Sequence, residues 1–282
     1  MISYKLLSAE GEARLREVTE NAAEEALQLL LYATGMDRTA YLLRRDDAAE
    51  REQAEAYRRL VAERAQGEPL QYLMRSQDFL GYTFAVGPGV LIPRPETEEL
   101  ALLCIQKIRD RGYRRVFDLC AGAGCIGVSI ALKCPQTEVW LFEKYEPAIG
   151  YLQRNIPASA ADRAHLIETD ILNAPAKALP QPDLIVSNPP YIPTGEIPGL
   201  QREVLREPAT ALDGGDDGLA FYRAILRHWM PLLPVGGFAA FECGEDQAET
   251  LCGMFRPYGT VHAVQDAFGM NRFVTIDISF RR

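Results

Sequence analysis

Apolar positions in the first quarter of the chain recur every three or four residues. Between Glu10 and Ala33 they fall at Leu15, Val18, Ala22, Ala26, Leu29 and Leu30, the spacing of one face of a helix. Ser8 is a suitable start for it and Gly35 a stop. A short helix over Thr39–Arg45 follows. A longer one over Ala48–Ala65 carries Ala54, Tyr57, Leu60 and Val61 on one side, and Gly67-Glu68-Pro69 ends it. From residue 78 the period shortens. Phe79, Tyr82, Phe84, Val86, Val90, Leu91 and Ile92, broken by Gly81 and Pro88-Gly89, predict a hairpin. A helix is expected near Thr97–Asp110.

Beyond Tyr113 strand and helix signals alternate. Strands are expected at Arg115–Leu119, Glu138–Phe142, His165–Glu168, Asp183–Ser187 and Gly237–Glu242. Helices are expected at Cys125–Leu132, Pro147–Asn155, Leu219–Leu232 and Gln247–Phe255. Thr260–Gln265 and Arg272–Ile278 close the chain as a hairpin. Such alternation implies an α/β fold, a mostly parallel sheet with helices on both faces, here ending in an antiparallel pair. Three segments are expected: a helical bundle over 1–75, a β-hairpin linker over 76–95 and a Rossmann-like domain over 96–282.

Composition narrows the function classes. The chain has 282 residues, 48% hydrophobic and 24% charged, those of a globular protein with a substantial core. No stretch approaches the roughly eighteen apolar residues of a membrane span, and the N-terminus lacks a signal-peptide pattern. A cytoplasmic protein is expected. The net charge of −9 argues against a general nucleic-acid binder. The six cysteines form no CxxC pair and have no nearby histidine, so neither zinc nor a disulfide framework is expected. His165, His228 and His262 are scattered.

Two stretches carry chemistry. The first predicted strand runs into Asp118-Leu119-Cys120-Ala121-Gly122-Ala123-Gly124-Cys125-Ile126-Gly127, where Gly122, Gly124 and Gly127 match GxGxxG between a strand and a helix. Glu143 ends the next strand, where a carboxylate accepts from both hydroxyls of a ribose. A dinucleotide and S-adenosylmethionine both fit that arrangement. Asp118, just before the turn, suits a cationic amino-acid tail or a sulfonium better than a pyrophosphate. Asp170, after the third strand, reads either as an acceptor for an adenine amino group or as a turn residue.

The second stretch is Ser187-Asn188-Pro189-Pro190-Tyr191, after the apolar run Leu184-Ile185-Val186. Two prolines stop the strand and donate no N–H. This leaves the Asn188 side chain and the Pro189 carbonyl at a strand's carboxyl end, where open α/β sheets bind ligands. Two uncharged acceptors there suit the two hydrogens of an NH₂ group.

With these residues the chain resembles the class I S-adenosylmethionine-dependent methyltransferases that act on nitrogen, and more narrowly the bacterial release factor glutamine methyltransferases. Further matching stretches are Gly67–Tyr72 with Phe79, Val90–Glu98, Arg206–Pro208 with Ala211–Gly215 and Asp217–Leu219, and Glu242–Gly244 with Gln247, Asp266 and Gly269–Arg272. The chain departs from the family pattern at four positions. Cys120 occupies a glycine position, Gly127 stands where Ala is common, Glu143 replaces a commoner Asp, and Arg75 sits where Gly is usual. The Cys120 side chain is expected to crowd the methionine end of the cofactor.

The resemblance implies methyl transfer to the side-chain amide nitrogen of the glutamine in the Gly-Gly-Gln motif of class 1 peptide chain release factors. It implies catalysis by Asn188, Pro189 and Tyr191, with Pro190 completing the substrate contact and Tyr191 packing on the planar amide. Asp118, Cys120, Ala121, Gly122, Gly124, Gly127, Glu143, Asp170 and Asn188 would line the cofactor site. A monomer is expected, with a release factor as partner and no membrane or direct nucleic-acid binding. Arg94, Glu96, Glu207, Glu242 and Arg272 read as structural or rim residues. The nearest rival is a methyltransferase acting on amino groups of adenine or guanine, to which the same tetrapeptide is suited. A nicotinamide oxidoreductase would use the glycine turn and Glu143 but leaves Asn188–Tyr191 without a purpose.

Overall fold

The computed structural model describes residues 2–175 and 178–280. Its contacts divide the chain into two units. One comprises the residues up to Ser76 together with Gln201–Arg206, and the other the rest of the chain.

The first unit is helical: α1 (Tyr4–Leu15), α2 (Ala22–Thr34), α3 (Arg38–Arg44), α4 (Arg51–Ala65) and α5 (Leu70–Met74). Leu7, Leu15, Leu29, Leu30, Tyr57 and Val61 form its core. The sequence pattern predicts one helix over Glu10–Ala33, but the structure breaks it between α1 and α2. At the break the Leu15 carbonyl accepts from both Val18 and Thr19 N–H, and Thr19 Oγ1 accepts from Asn21 N–H at 3.1 Å. A threonine that bonds local backbone competes with helix continuation. The cap is also earlier than expected. Ser3 Oγ accepts from Leu6 N–H, and Ser8 lies inside α1. Gln201–Arg206 joins this unit through Arg64, whose buried guanidinium donates to Glu25 Oε2 at 2.6 Å and to Glu203 Oε1 at 2.5 Å.

The second unit begins at Gln77, inside a hairpin of β1 (Ser76–Phe79) and β2 (Tyr82–Ala85). The hairpin, read from the sequence as a linker, belongs to the core of this unit. Phe79 and Phe84 meet edge to face at 6.0 Å and pack with residues of α6 (Pro95–Arg111). The pattern over Val86–Ile92 predicts more strand, and here the structure differs: the backbone is irregular although Val86, Val90 and Ile92 are buried. Pro88 has no N–H to pair, and the Ile92 N–H is taken by Glu207 Oε2 at 2.9 Å.

The main sheet has seven strands: β3 (Arg115–Leu119), β4 (Glu138–Glu143), β5 (Ala164–Glu168), β6 (Leu184–Ser187), β7 (Phe238–Glu242), β8 (Gly259–Gln265) and β9 (Asn271–Ile278). Their spatial order is β5-β4-β3-β6-β7-β9-β8. All pairings are parallel except those of β9, which runs antiparallel between β7 and β8. The central strands are buried apolar runs because both faces are covered. One face, with Val116, Leu141 and Val186, packs against α6, α7 (Cys125–Lys133) and α8 (Glu146–Asn155). The other, with Phe117, Phe142 and Ile185, packs against α9 (Ala220–Ala224) and α10 (Ala248–Phe255). The helix expected over Leu219–Leu232 is α only as far as Ala224, then widens to a π turn over Ile225–Trp229 and tightens to a 3₁₀ turn over Met230–Leu232. Pro231, lacking an N–H, accounts for the final change. Buried Trp229 donates from Nε1 to the Ile171 carbonyl at 2.8 Å, which fixes the segment after β5. No helix among the described residues is long and apolar enough to cross a membrane.

Candidate active site

Strand order reverses at β3: the chain moves outward to β4 and β5, then crosses to β6 on the other side. In a doubly wound sheet that reversal opens a crevice at the carboxyl ends of the strands. A cavity lies there. Its floor holds Cys120, Ala121 and Gly122 after β3, Glu143 at the end of β4, Asp170 after β5, and Asn188 and Pro190 after β6. Leu91, Leu172 and Phe221 add apolar walls.

Residues of the glycine turn divide into two groups. Cys120, Ala121 and Gly122 face the cavity, whereas Asp118, Gly124 and Gly127 lie beneath it. Alternation along β3 puts Asp118 on the face shared with Val116, against α7. Its Oδ2 accepts the Gly127 N–H at 2.8 Å, and its Oδ1 is buried with no partner among the described residues. The expectation that Asp118 faces a cofactor tail is therefore corrected: it braces the start of α7. Burial pushes its pKa up to about 7, with the Glu143 charge adding and the Gly127 N–H opposing. Cys120, at φ 59°, holds the left-handed conformation that makes glycine usual there. Cys120 lines the cavity, and burial raises its thiol pKa well above the ordinary value, so it is no ready thiolate.

Glu143 is 7% exposed, yet it lines the cavity. Oε2 accepts from Gly122 N–H at 2.9 Å, and Oε1 from Lys144 and Tyr145 N–H at 2.7 and 2.9 Å. Three N–H donors fix this carboxylate without neutralising it, so lone pairs remain for hydroxyl donors. Asp170 accepts from Leu172 N–H with Oδ1 and from Lys144 Nζ with Oδ2, each at 3.0 Å. It is a turn residue and a cavity residue at once.

Around the second stretch, Ser187 ends β6 and donates from Oγ to the Leu119 carbonyl at 2.5 Å. This ties the two strand ends on either side of the crevice. Asn188 Nδ2 donates to Thr97 Oγ1 at 3.1 Å, and Thr97 Oγ1 donates to Glu242 Oε2 at 2.7 Å. Among the described residues no donor reaches Asn188 Oδ1 or the Pro189 carbonyl. Pro189 is buried and its side chain does not line the cavity. Tyr191 is also outside the cavity lining. Its ring packs against the core, and its hydroxyl points at Glu242 Oε1 across 3.5 Å. Gln247 Nε2 donates to the Tyr191 carbonyl at 2.8 Å.

Two loops cover this end. Ile192 exchanges backbone hydrogen bonds with Leu212 and Gly214. A Cβ at Gly218 would lie 2.3 Å from the Tyr191 carbonyl oxygen, so only glycine permits that approach. Glu207, buried, accepts from both Ile92 N–H and Arg94 and pins the segment entering α6. Arg94 and Glu207 are thus structural, as the sequence suggested. Thr97 and Glu242 were not legible as site residues. Thr97 sits inside the Val90–Glu98 stretch, and nothing in sequence ties it to a carboxylate 145 positions away.

Comparison with known proteins agrees with this geometry. The description "PrmC N-terminal domain" matches residues 7–74, and "Methyltransferase small domain" matches residues 94–217. Among solved structures, the hMettl16 catalytic domain in complex with MAT2A 3'UTR hairpin 1 superposes with a TM-score of 0.56 at 18% identity, covering 77% of this chain and 80% of that one. The Thermus thermophilus 16S rRNA N2 G1207 methyltransferase, solved with AdoMet and guanosine, has a TM-score of 0.51 at 22% identity, over 73% of this chain and 50% of that one. At such identity they show the class I methyltransferase fold alone. The release factor glutamine methyltransferase of Clostridium botulinum is 33% identical over 96% of this chain and 97% of its own length. That of Geobacter sulfurreducens is 41% identical over 90% of this chain and 89% of its own length, and the chain belongs to the release factor glutamine methyltransferase family.

Proposed function

We propose that this chain transfers a methyl group from S-adenosylmethionine to the side-chain amide nitrogen of a release factor glutamine, the one in a Gly-Gly-Gln motif. The observation that carries the reading is Asn188. Its amide nitrogen is engaged by Thr97, and beside the cavity its oxygen is left without a donor among the described residues.

The residues of the cavity suit the cofactor. A Cβ at Gly122 would meet nothing nearer than Val90 Cγ2 at 3.8 Å, so the cavity face of the turn is open. Glu143 would accept from the ribose hydroxyls, Asp170 would stand near the adenine, and Cys120–Gly122 would border the amino-acid end. When bound, the cofactor supplies a methyl group on a sulfonium, an electrophile already activated.

The chain's own task is to make a poor nucleophile attack. An amide nitrogen is weak because its lone pair is delocalised. Asn188 Oδ1 and the Pro189 carbonyl accept one N–H each, which turns the nitrogen toward the cavity. As the nitrogen gains positive charge, the two oxygens stabilise it. The proton is lost to water afterwards, so no side-chain base is needed. The Tyr191 ring, packed against the core and outside the cavity lining, would support this from behind.

The test is intact-mass analysis of a purified class 1 release factor after incubation with this protein and S-adenosylmethionine, with peptide mapping. One added methyl on the Gly-Gly-Gln glutamine is expected. Asn188→Ala should lower kcat on the order of 10²–10³-fold, as removal of one preorganised stabiliser does, while cofactor binding persists. Bound cofactor with no methyl gained would overturn the substrate assignment and direct the search to nucleic-acid amino groups.

A further inference from the structure

We propose that Thr97 and Glu242 are positioning residues that hold the Asn188 side chain with its oxygen, rather than its nitrogen, toward the substrate amide. The inference rests on the reading of Asn188 as an acceptor. Proton counting carries it. An ionised carboxylate only accepts, and a hydroxyl has a single proton to give. Glu242 Oε2, 2.7 Å from Thr97 Oγ1, accepts the hydrogen bond made by that proton. The Thr97 oxygen then offers Asn188 only lone pairs, so at 3.1 Å it must face the amide N–H. The other end of the amide, Oδ1, is directed away from Thr97. One buried charge thus selects between two rotations of an amide that are nearly equal in shape.

The arrangement is sheltered. Thr97 and Glu242 are each 2% exposed, so water does not compete for the hydroxyl proton. They stand on different elements that meet at the crevice: Thr97 in the first turn of α6, Glu242 at the end of β7 and Asn188 just after β6. A buried carboxylate with one short hydrogen bond is a poor way to gain stability. Among the described residues its other oxygen has only the Tyr191 hydroxyl, a long contact at 3.5 Å. The groups around it are Arg94 and Glu96 at the start of α6, Cys125 of α7, Tyr191, Tyr222 of α9, Cys243 and Arg272 of β9. Burial dominates and pushes its pKa up to about 7, against the Thr97 bond and the two arginines. When Glu242 is protonated it donates to Thr97, whose own proton then turns to Asn188 and favours the reversed amide.

The experiment compares wild type with Thr97→Val and Thr97→Ser in release factor methylation. Thr97→Val should lower kcat by roughly 10–100-fold, the range for residues that orient a functional group, with release factor KM and cofactor affinity unchanged. Thr97→Ser, which keeps the hydroxyl, should restore most of the rate. The acid limb of the wild-type kcat profile, near pH 7, should vanish in Thr97→Val. A Thr97→Val enzyme as fast as wild type overturns the relay. A wild type that methylates nothing overturns the reading of Asn188, and the relay is then judged by nuclear magnetic resonance. The Asn188 side-chain N–H₂ pair, assigned by its loss in Asn188→Ala, should exchange slowly with water in wild type and Thr97→Ser and fast in Thr97→Val. Fast exchange in wild type overturns the relay whatever the activity.

Discussion

Replacing Gly127 by alanine tests the packing under the glycine turn. On helix propensity alone the change is favourable by about 1 kcal/mol. The structure reverses the sign. A Cβ there would lie 2.7 Å from Leu141 Cδ2, 3.1 Å from Leu141 Cγ and 2.8 Å from Asp118 Oδ2. Leu141 is fully buried in β4, so it shifts only at the expense of neighbours, and overpacking of this kind costs about 1–3 kcal/mol. Above about pH 7, where the carboxylate is charged, Asp118 Oδ2 cannot retreat without lengthening its bond from the Gly127 N–H, a bond to a charged group worth about 1.5–3 kcal/mol. Partial loss of that bond, added to the overpacking and offset by propensity, leaves a net destabilisation of about 2 kcal/mol, or roughly 4–8 °C in Tm for a unit of about 200 residues.

Both tryptophans, Trp140 and Trp229, lie in the second unit, so fluorescence-monitored urea unfolding reads that unit directly. Leu141→Val removes the clashing methyl at a cost of about 0.8 kcal/mol on its own. In the double variant the penalty of the alanine should shrink by about 1 kcal/mol, the coupling expected of residues in contact. An alanine variant as stable as wild type would refute the tight spacing of α7, β4 and Asp118. Equal penalties with and without Leu141 would place the strain elsewhere.

Glu143→Gln keeps the size of the side chain but replaces one of the two acceptor oxygens that take three backbone N–H bonds; cofactor affinity by calorimetry should fall at least about tenfold, and an unchanged affinity would remove Glu143 from the cofactor site. Asp118→Asn retains an acceptor for Gly127 and removes a titration. The Asp118 pKa rises from about 3.9 unfolded to about 7 folded, so its favourable contribution is complete below the unfolded value and is lost as pH rises through the folded one. The asparagine variant should therefore gain on wild type between about pH 4 and 7 and hold a constant lead above about pH 8, and urea midpoints that differ equally at both ends would overturn that assignment.

What was legible in the sequence was whatever depends on neighbours along the chain. Parallel strands covered on both faces must be apolar runs, so β3, β4, β6 and β7 announce themselves. The glycine turn and the prolines after Asn188 are local devices too, and their positions at strand ends follow from topology. The periodic signal failed where a side chain or proline diverted the backbone. Thr19 broke a helix whose apolar spacing continued across it, and Val86–Ile92 kept a strand-like pattern because those residues are buried, not because they pair. The sequence puts Asp118 at the carboxyl end of β3, and strand alternation, which it also contains, turns the carboxylate toward α7.

The least legible feature was the set of groups that give Asn188 its direction. Thr97 and Glu242 are 145 positions apart and acquire meaning only when α6 and β7 meet at the crevice. Their chemistry also sets stability against activity. Asp118 and Glu242 are both buried carboxyls whose pKa values are raised to about 7 by the same cause. Each loses its stabilising contribution as pH climbs toward that value. At the upper end of that fall, around pH 7, the relay acquires the charge that orients Asn188. Unfolding stability of the second unit should therefore fall between about pH 4 and 7, and kcat should rise around pH 7. Glu242→Gln should flatten the rise in kcat and remove the Glu242 share of the fall. A variant that changed only one of the two curves would separate the charge that orients Asn188 from the charge that burial opposes, and the structure assigns both to the same carboxylate.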